Sequence, residues 1–327
     1  MIRFGVIGTN WITDKFIEAA KELEDFCLTA VYSRSEVTAR EFANAHGASY
    51  TFTDIEEMAQ SDTIDAVYIA SPNSFHASQA ILCMNNGKHV LCEKPFASNK
   101  SEAEAMIAAA RKNNVLFMEA MKSTCTPCFL AVKEHLDEIG PVRRYFANFC
   151  QYSSRYDEYK KGNILNAFNP TFSNGALMDI GVYTIAPLVH LFGEPQSIKA
   201  MGTILESGVD GQGSIIMQYE QHEAVVMYSK ITDSNLPNEI QGEAGSIIID
   251  KISSPSHIQI NYRNGEQKDI SVQQKENTMF YEAKEFISLI KNNQTESSIN
   301  TFARSMSVIK IMDEVRRQLG ITYPADQ

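Results

Sequence analysis

The chain has one tryptophan and six cysteines among its 327 residues, and no run of lysines or arginines. With 29 basic against 40 acidic side chains and a formal charge of −11, it lacks the basic stripe that neutralises a phosphate backbone, which argues against nucleic acid as a partner. A small anionic ligand is still compatible, because a local pocket can be basic within an acidic protein. The segment Cys125-Thr126-Pro127-Cys128 has redox or zinc spacing, but no second cysteine pair or histidine pair completes a site, so no metal is expected. No apolar run approaches the roughly 20 residues that span a bilayer. Met1 to Gly8 enters a buried-strand pattern without the basic start and longer apolar stretch of a signal peptide. These absences predict a cytoplasmic protein with free thiols and no membrane partner.

What is present is ordinary for a globular protein: 44% hydrophobic and 21% charged residues, in a length that favours two domains. In the first third, apolar runs at Val6-Ile7, Leu28 to Tyr32, Ala66 to Ala70, His89 to Cys92 and Val115 to Met118 alternate with amphipathic patterns. The latter cover Trp11 to Leu23, Val37 to His46, Phe75 to Asn86 and Lys100 to Asn113. Strands apolar on both faces and separated by helices predict a doubly wound parallel α/β sheet, a Rossmann domain over residues 1–120.

Beyond residue 120 the rhythm changes. A helix near Phe129 to Glu138 stops at Gly140-Pro141, and a mixed β-branched and aromatic run follows to Ser153. After a polar loop comes a helical segment from Gly175 to Phe192. Alternating strands are then expected near 196–206, 213–220, 223–231, 246–250, 257–262 and 267–273, with two closing helices. This predicts an α+β domain over 121–327, built on a large, mostly antiparallel open sheet.

A parallel α/β sheet binds its ligand just beyond the carboxyl ends of its strands. The first such turn is Gly8-Thr9-Asn10-Trp11-Ile12-Thr13, where only the first glycine of a Gly-x-Gly-x-x-Gly fingerprint is present. Asn10 in the second position is a residue that tolerates left-handed dihedrals. Thr13 in the third is expected to loosen helix packing slightly. The second turn carries Ser33 and Arg34 where an NAD site would place an acid, so NADP is preferred over NAD. In the third, Ser71 and Pro72 leave the strand, Asn73 or Ser74 caps the next helix, and His76 is a candidate ribose contact. The fourth ends in Glu93-Lys94-Pro95, with Lys94 held extended by the proline behind a buried strand.

The strings Ile69-Ala70-Ser71-Pro72-Asn73-Ser74-Phe75-His76, Gly87 to Pro95, Met118-Glu119-Ala120 and Gly175 to Tyr183 resemble the Gfo/Idh/MocA family of oxidoreductases. Within it they look most like the dimeric dihydrodiol dehydrogenase and NADP-dependent xylose dehydrogenase subgroup. The resemblance implies that Lys94, Asp179 and Tyr183 are catalytic. It implies too that NAD(P) is held by Gly8, Thr9, Asn10, Trp11, Ile12, Ser33, Arg34, Ser71, Pro72, Asn73, His76, Glu93 and Lys94. It also implies a homodimer acting on a sugar, polyol or diol.

The spacing of Asp179 and Tyr183, four apart on an expected helix, puts them on one face, with Gly181 between them leaving room for a ligand. Alcohol oxidation needs an acid/base group on the hydroxyl oxygen. Tyr183 is the first choice, its phenolate favoured by Lys94; Lys94 acting as the base itself is the alternative, with Asp179 orienting Lys94. His190, seven residues beyond Tyr183, is about 10 Å farther along a helix and reads as structural. Where the subgroup carries tryptophan and arginine after Glu-Ala, this chain has Lys122 and Thr124, so Lys122 and Arg155 are the candidate substrate contacts. The eroded fingerprint and Thr124 motivate a second reading, a catalytically idle NADP-binding regulatory protein. A third is an enzyme that cycles its nicotinamide internally.

Overall fold

The computed structural model describes all 327 residues, which divide into two compact units. Met1–Met121 with Lys275–Phe302 form the first, and Lys122–Gln274 with Ala303–Gln327 the second.

The first unit holds a six-stranded parallel sheet of β1 (Ile2–Ile7), β2 (Phe26–Tyr32), β3 (Tyr50–Phe52), β4 (Ala66–Ile69), β5 (His89–Glu93) and β6 (Phe117–Ala120), in the order β3-β2-β1-β4-β5-β6. The order reverses between β1 and β4, which is where such a sheet opens a crevice at its carboxyl ends. The helices are α1 (Trp11–Ala20), α2 (Glu36–His46), α3 (Ile55–Gln60), α4 (Asn73–Asn85) and α5 (Lys100–Asn113). The short β3 and α3 are absent from the sequence reading. The outer residues of β3 are exposed at the sheet edge, and α3 spans six residues started by the Asp54 side chain, so neither carries a periodic apolar signal.

The expected second domain of 121–327 needs correction, because residues 275–302 belong to the first unit. The helix α9 (Met279–Lys291) buries Met279, Ala283, Phe286 and Ile287, one face at helical spacing. That face joins the core of Phe4, Phe16 and Phe26, with Phe286 5.9 Å from the Phe4 ring. The sequence shows the apolar stripe but not which unit it covers.

The second unit is an eight-stranded sheet of β7 (Val142–Cys150), β8 (Ser197–Ile204), β9 (Asp210–Gln218), β10 (Glu223–Ser229), β11 (Asn238–Gly242), β12 (Gly245–Ile249), β13 (Ile258–Tyr262) and β14 (Gln267–Asp269). Its order is β14-β13-β12-β11-β7-β10-β9-β8, antiparallel apart from the parallel pair β7–β10. The carboxyl ends of that pair, at Cys150 and Ser229, therefore emerge side by side. The remaining helices are α6 (Pro127–Glu134), α7 (Ser154–Lys160), α8 (Val182–Phe192) and α10 (Phe302–Leu319). Strand β11 and helix α7 lie in stretches read as polar connections; α7 buries none of its residues, so it has no apolar stripe to read.

One face of the sheet, with Tyr145, Ala147, Ile215, Val226 and Tyr228, is buried. A π-helical turn, Leu177–Gly181, runs into α8 against this face. The stretch Pro170–Phe192 is long and apolar enough by composition to cross a membrane, contrary to the sequence reading, but 72% of its apolar window is buried inside the protein. It is a core helix. His190 on α8 sits edge-on to Phe129 at 5.2 Å, with neither ring nitrogen hydrogen-bonded. Burial, with the charges of Arg304 and Lys133, lowers its pKa to about 4, so it packs as a neutral ring.

Candidate active site

In the first unit, the turn after β1 brings its backbone onto the end of β4. Gly8 has φ +104°, and a Cβ there would lie 2.6 Å from the Ala70 carbonyl oxygen, so only glycine fits. Asn10 is extended (φ −126°) rather than left-handed as expected, and its role is capping. Its Oδ1 accepts from Ile12 N at 3.0 Å and Thr13 N at 3.4 Å, while its Nδ2 donates to the Ala70 carbonyl at 2.8 Å. Thr13 does not loosen the turn: its buried hydroxyl donates to the Gly8 carbonyl at 2.8 Å. Two side chains thus do what the missing glycines leave undone. Thr9 and Ile12 are half-buried, and Trp11 stands 64% exposed at the start of α1.

After β2, Ser33 N donates to the Phe52 carbonyl at 3.1 Å, and the Ser33 hydroxyl accepts from Ser35 N at 3.3 Å. The Arg34 side chain is exposed and takes no hydrogen-bond or ion-pair partner. A guanidinium left open beside a serine hydroxyl, with no acid in the turn, matches an adenosine 2′-phosphate. The glycine cradle and this open cation both fit a dinucleotide.

After β4, the Ser71 hydroxyl donates to Gln79 Oε1 at 2.6 Å. Helix α4 begins at Asn73 with Pro72 in the cap position and no side-chain cap, so neither Asn73 nor Ser74 caps it as expected. His76 is 1% exposed, with Nδ1 3.0 Å from the Pro95 carbonyl and Nε2 2.8 Å from the Ser71 carbonyl. Burial, with the nearby Lys94 charge, lowers its pKa to about 4. The neutral ring has one N–H, so it donates to one of these two carbonyls and packs between the turn after β4 and the segment after β5. It is not presented to a ribose.

Glu93, at the end of β5, is 8% exposed and accepts from the Tyr68 hydroxyl at 2.6 Å and from Lys94 N at 3.2 Å. Both its oxygens face the protein, so Glu93 braces the segment. Tyr68 is itself stacked on Phe16 at 3.8 Å. Lys94 follows, half-buried, before a cis peptide to Pro95.

In the second unit, Asp179 lies in the π-helical turn and Tyr183 in the first turn of α8. Four residues make about one turn in either geometry, which keeps the two side chains on one flank. Tyr183 is 9% exposed and edge-on to Phe149 at 5.8 Å. Gly181 is small for packing and not for a ligand: a Cβ there would meet the Tyr228 ring at 3.1 Å. Buried Asp210 starts the turn by accepting from Leu177 N at 2.7 Å.

Lys230, which the sequence reading missed, forms an ion pair with Asp179 and is 4% exposed. Its ammonium also lies 5.7 Å from the centre of the Phe168 ring. Phe168 is covered by Tyr156 at 5.7 Å and Tyr159 at 5.5 Å, both from α7. A lysine directly after an alternating strand was the available signal, the same signal that Lys94 gives. Arg155 on α7 is exposed and its side chain is unpaired, Lys122 is half-buried in a 3-10 turn, and Thr124 is buried. Cys128 lies against the Val272 backbone, its Sγ 3.3 Å from the carbonyl oxygen, and none of the six cysteines is in a disulfide.

Residues 2–121 match the family model described as the oxidoreductase family, NAD-binding Rossmann fold, and residues 129–248 match the GFO/IDH/MocA C-terminal domain. The chain is 58% identical to the scyllo-inositol 2-dehydrogenase (NADP(+)) IolU of Bacillus subtilis (strain 168), over 100% of both chains. It is 32% identical to a trans-1,2-dihydrobenzene-1,2-diol dehydrogenase of Xenopus tropicalis, over 98% of this chain and 99% of that one. The aldose-aldose oxidoreductase of Caulobacter crescentus shares the fold, with a TM-score of 0.86 at 20% identity over 97% of each chain. With both halves matched and whole-length relatives named as dehydrogenases, the chain belongs to the Gfo/Idh/MocA family and is an NAD(P)-dependent oxidoreductase acting on CH–OH groups.

Proposed function

We propose that this chain is an NADP-preferring dehydrogenase that oxidises a secondary alcohol of a cyclic polyol, and reduces the corresponding ketone, with Lys94, Asp179 and Tyr183 as its catalytic residues. The observation that carries this is a carboxylate held by a buried ammonium one turn from a tyrosine. The inositol dehydrogenase name of the 58% identical relative supports the polyol class.

The first unit supplies the dinucleotide residues, with the Gly8 turn approaching the pyrophosphate and Ser33 and Arg34 taking the 2′-phosphate. When bound, the nicotinamide accepts or returns the hydride. The Tyr183 phenolate takes the proton from the substrate oxygen as the hydride leaves, and Lys94 is the alternative group for that proton. Asp179, paired with Lys230, accepts a hydrogen bond from a substrate hydroxyl and fixes its orientation. Lys122 and Arg155 contact the distal part of the polyol. The idle-regulator reading loses its main motive, since Asn10 and Thr13 complete the turn the fingerprint lacks.

The working form is a homodimer, in the cytoplasm, through the uncovered face of the eight-stranded sheet. Ile216, Val225 and Phe146 form a cross-strand row on that face, with Ile216 53% and nearby Met201 80% exposed. An apolar row open to water favours association with a second copy.

Three outcomes are expected. Tyr183→Phe and Lys94→Ala each lower kcat on a polyol the parent oxidises by roughly 10²- to 10⁴-fold, the range of general acid–base groups; full turnover by both in a substrate panel contradicts the mechanism. Arg34→Ala weakens NADP binding about 10- to 100-fold, the loss of one or two charge-assisted hydrogen bonds, and leaves NAD within twofold. Equal losses for both cofactors in fluorescence titrations contradict that assignment. Light scattering gives twice the 36.6 kDa chain mass for the parent and the chain mass for Val225→Lys; an unchanged dimer in the variant moves the interface elsewhere.

A further inference from the structure

Of the two partners in the Asp179–Lys230 pair, the lysine is the hidden one. The Lys230 side chain is 6% exposed against 31% for Asp179, so the pair turns its carboxylate outward and its ammonium inward. A buried lysine is costly unless a counter-charge and a polarisable face compensate it. Here the Asp179 carboxylate and the Phe168 ring, 5.7 Å away, supply both.

The ammonium is also fixed from behind. Lys230 N donates to the Gly211 carbonyl at 2.9 Å, and the Lys230 carbonyl accepts from Ser153 N at 2.9 Å, so the chain leaving β10 is held on both sides. Phe168 is wholly buried and carries Tyr156 and Tyr159 on its other contacts. Helix α7 thus acts on Asp179 through Phe168 and Lys230, although none of its residues is buried.

We infer that Lys230 is a positioning residue of the active site: it holds the Asp179 carboxylate in place as the acceptor for a substrate hydroxyl, with Phe168 setting the place of its ammonium. This rests on the polyol reading above. An acceptor-only carboxylate recognises a hydroxyl-bearing substrate carbon and gains nothing from a deoxy analogue, since an ionised carboxylate has no proton to donate. Lys230 therefore contributes to polyol selectivity without touching the substrate.

The test uses the full-length enzyme and a double-mutant cycle of Lys230→Met, Asp179→Asn and both together, with Lys230→Arg as the conservative variant. Melting temperature, NADPH affinity and steady-state kinetics are read for each. Lys230→Met leaves an uncompensated carboxylate, so it melts lower than the double variant, in which both charges are gone. Its kcat/KM on the polyol falls roughly 100-fold while NADPH affinity stays within twofold, and Lys230→Arg, which keeps the charge, recovers most of that loss. Independent effects of the two single changes on melting, or turnover of Lys230→Met within threefold of the parent, overturns the inference. A parent inactive on every polyol removes the proposed substrate class alone, because the melting cycle reads the pair without substrate. Should Lys230→Met fail to fold, recovery of folding in the double variant supports the coupling and its absence contradicts it.

Discussion

A buried ammonium needs a counter-charge fixed beside it, and in the second unit Asp179 supplies that charge to Lys230. The Tyr228 ring lies against Gly181, where a Cβ would approach it to 3.1 Å, and this close packing seats the π-helical turn against β10. Asp210 receives the first amide of the turn from below, and burial raises its own pKa to about 6. Two residues beyond Tyr228, the same strand delivers Lys230 to Asp179. One strand therefore supplies both the surface that places the turn and the ammonium that pairs with its carboxylate. The extra residue of a π-helical turn is a common mark of functional sites, and here the turn holds Asp179.

The first unit solves a different problem, a close backbone approach with too few glycines. Gly8 is irreplaceable on steric grounds, yet the next two fingerprint positions are filled by side chains that form the bonds a turn needs. Asn10 both caps α1 and reaches the end of β4, and Thr13 closes back on Gly8. His76 repeats the device one turn along, buried between the carbonyls of Ser71 and Pro95 and donating its one N–H to one of them. The loops around the switch point are thus cross-braced by polar side chains, and at buried Thr13 and His76 the low dielectric of the interior strengthens the bonds.

Much of this was legible in the sequence, for physical reasons. Strands buried on both faces and helices with a clear stripe announce themselves by period, which is why the parallel sheet, its turns and the open antiparallel sheet were readable. Elements without a stripe were not: α7 buries none of its residues, and β3 and α3 are too short to show one. The destination of a stripe was equally hidden, as α9 shows by joining the core of the first unit. Among site residues, Lys94, Asp179 and Tyr183 came from the string around them rather than from their own chemistry. Lys230 had no such string, and only the register of β10 against β7 and β9 reveals where it ends. Roles were harder than positions: His76 and Gly181 were read for ligand contacts, whereas His76 is buried between two carbonyls and Gly181 packs against the Tyr228 ring.

Hydride transfer from a polyol carbon is the centre of this account. It is tested most directly by incubating the enzyme with NADP and a cyclic polyol deuterated at its carbinol carbons, and reading the label in the reduced cofactor. The account predicts one deuterium at C4 of the nicotinamide, on a single face, in equal amount with the ketone formed. Reduced cofactor without deuterium, or ketone formed with no reduced cofactor, would contradict it.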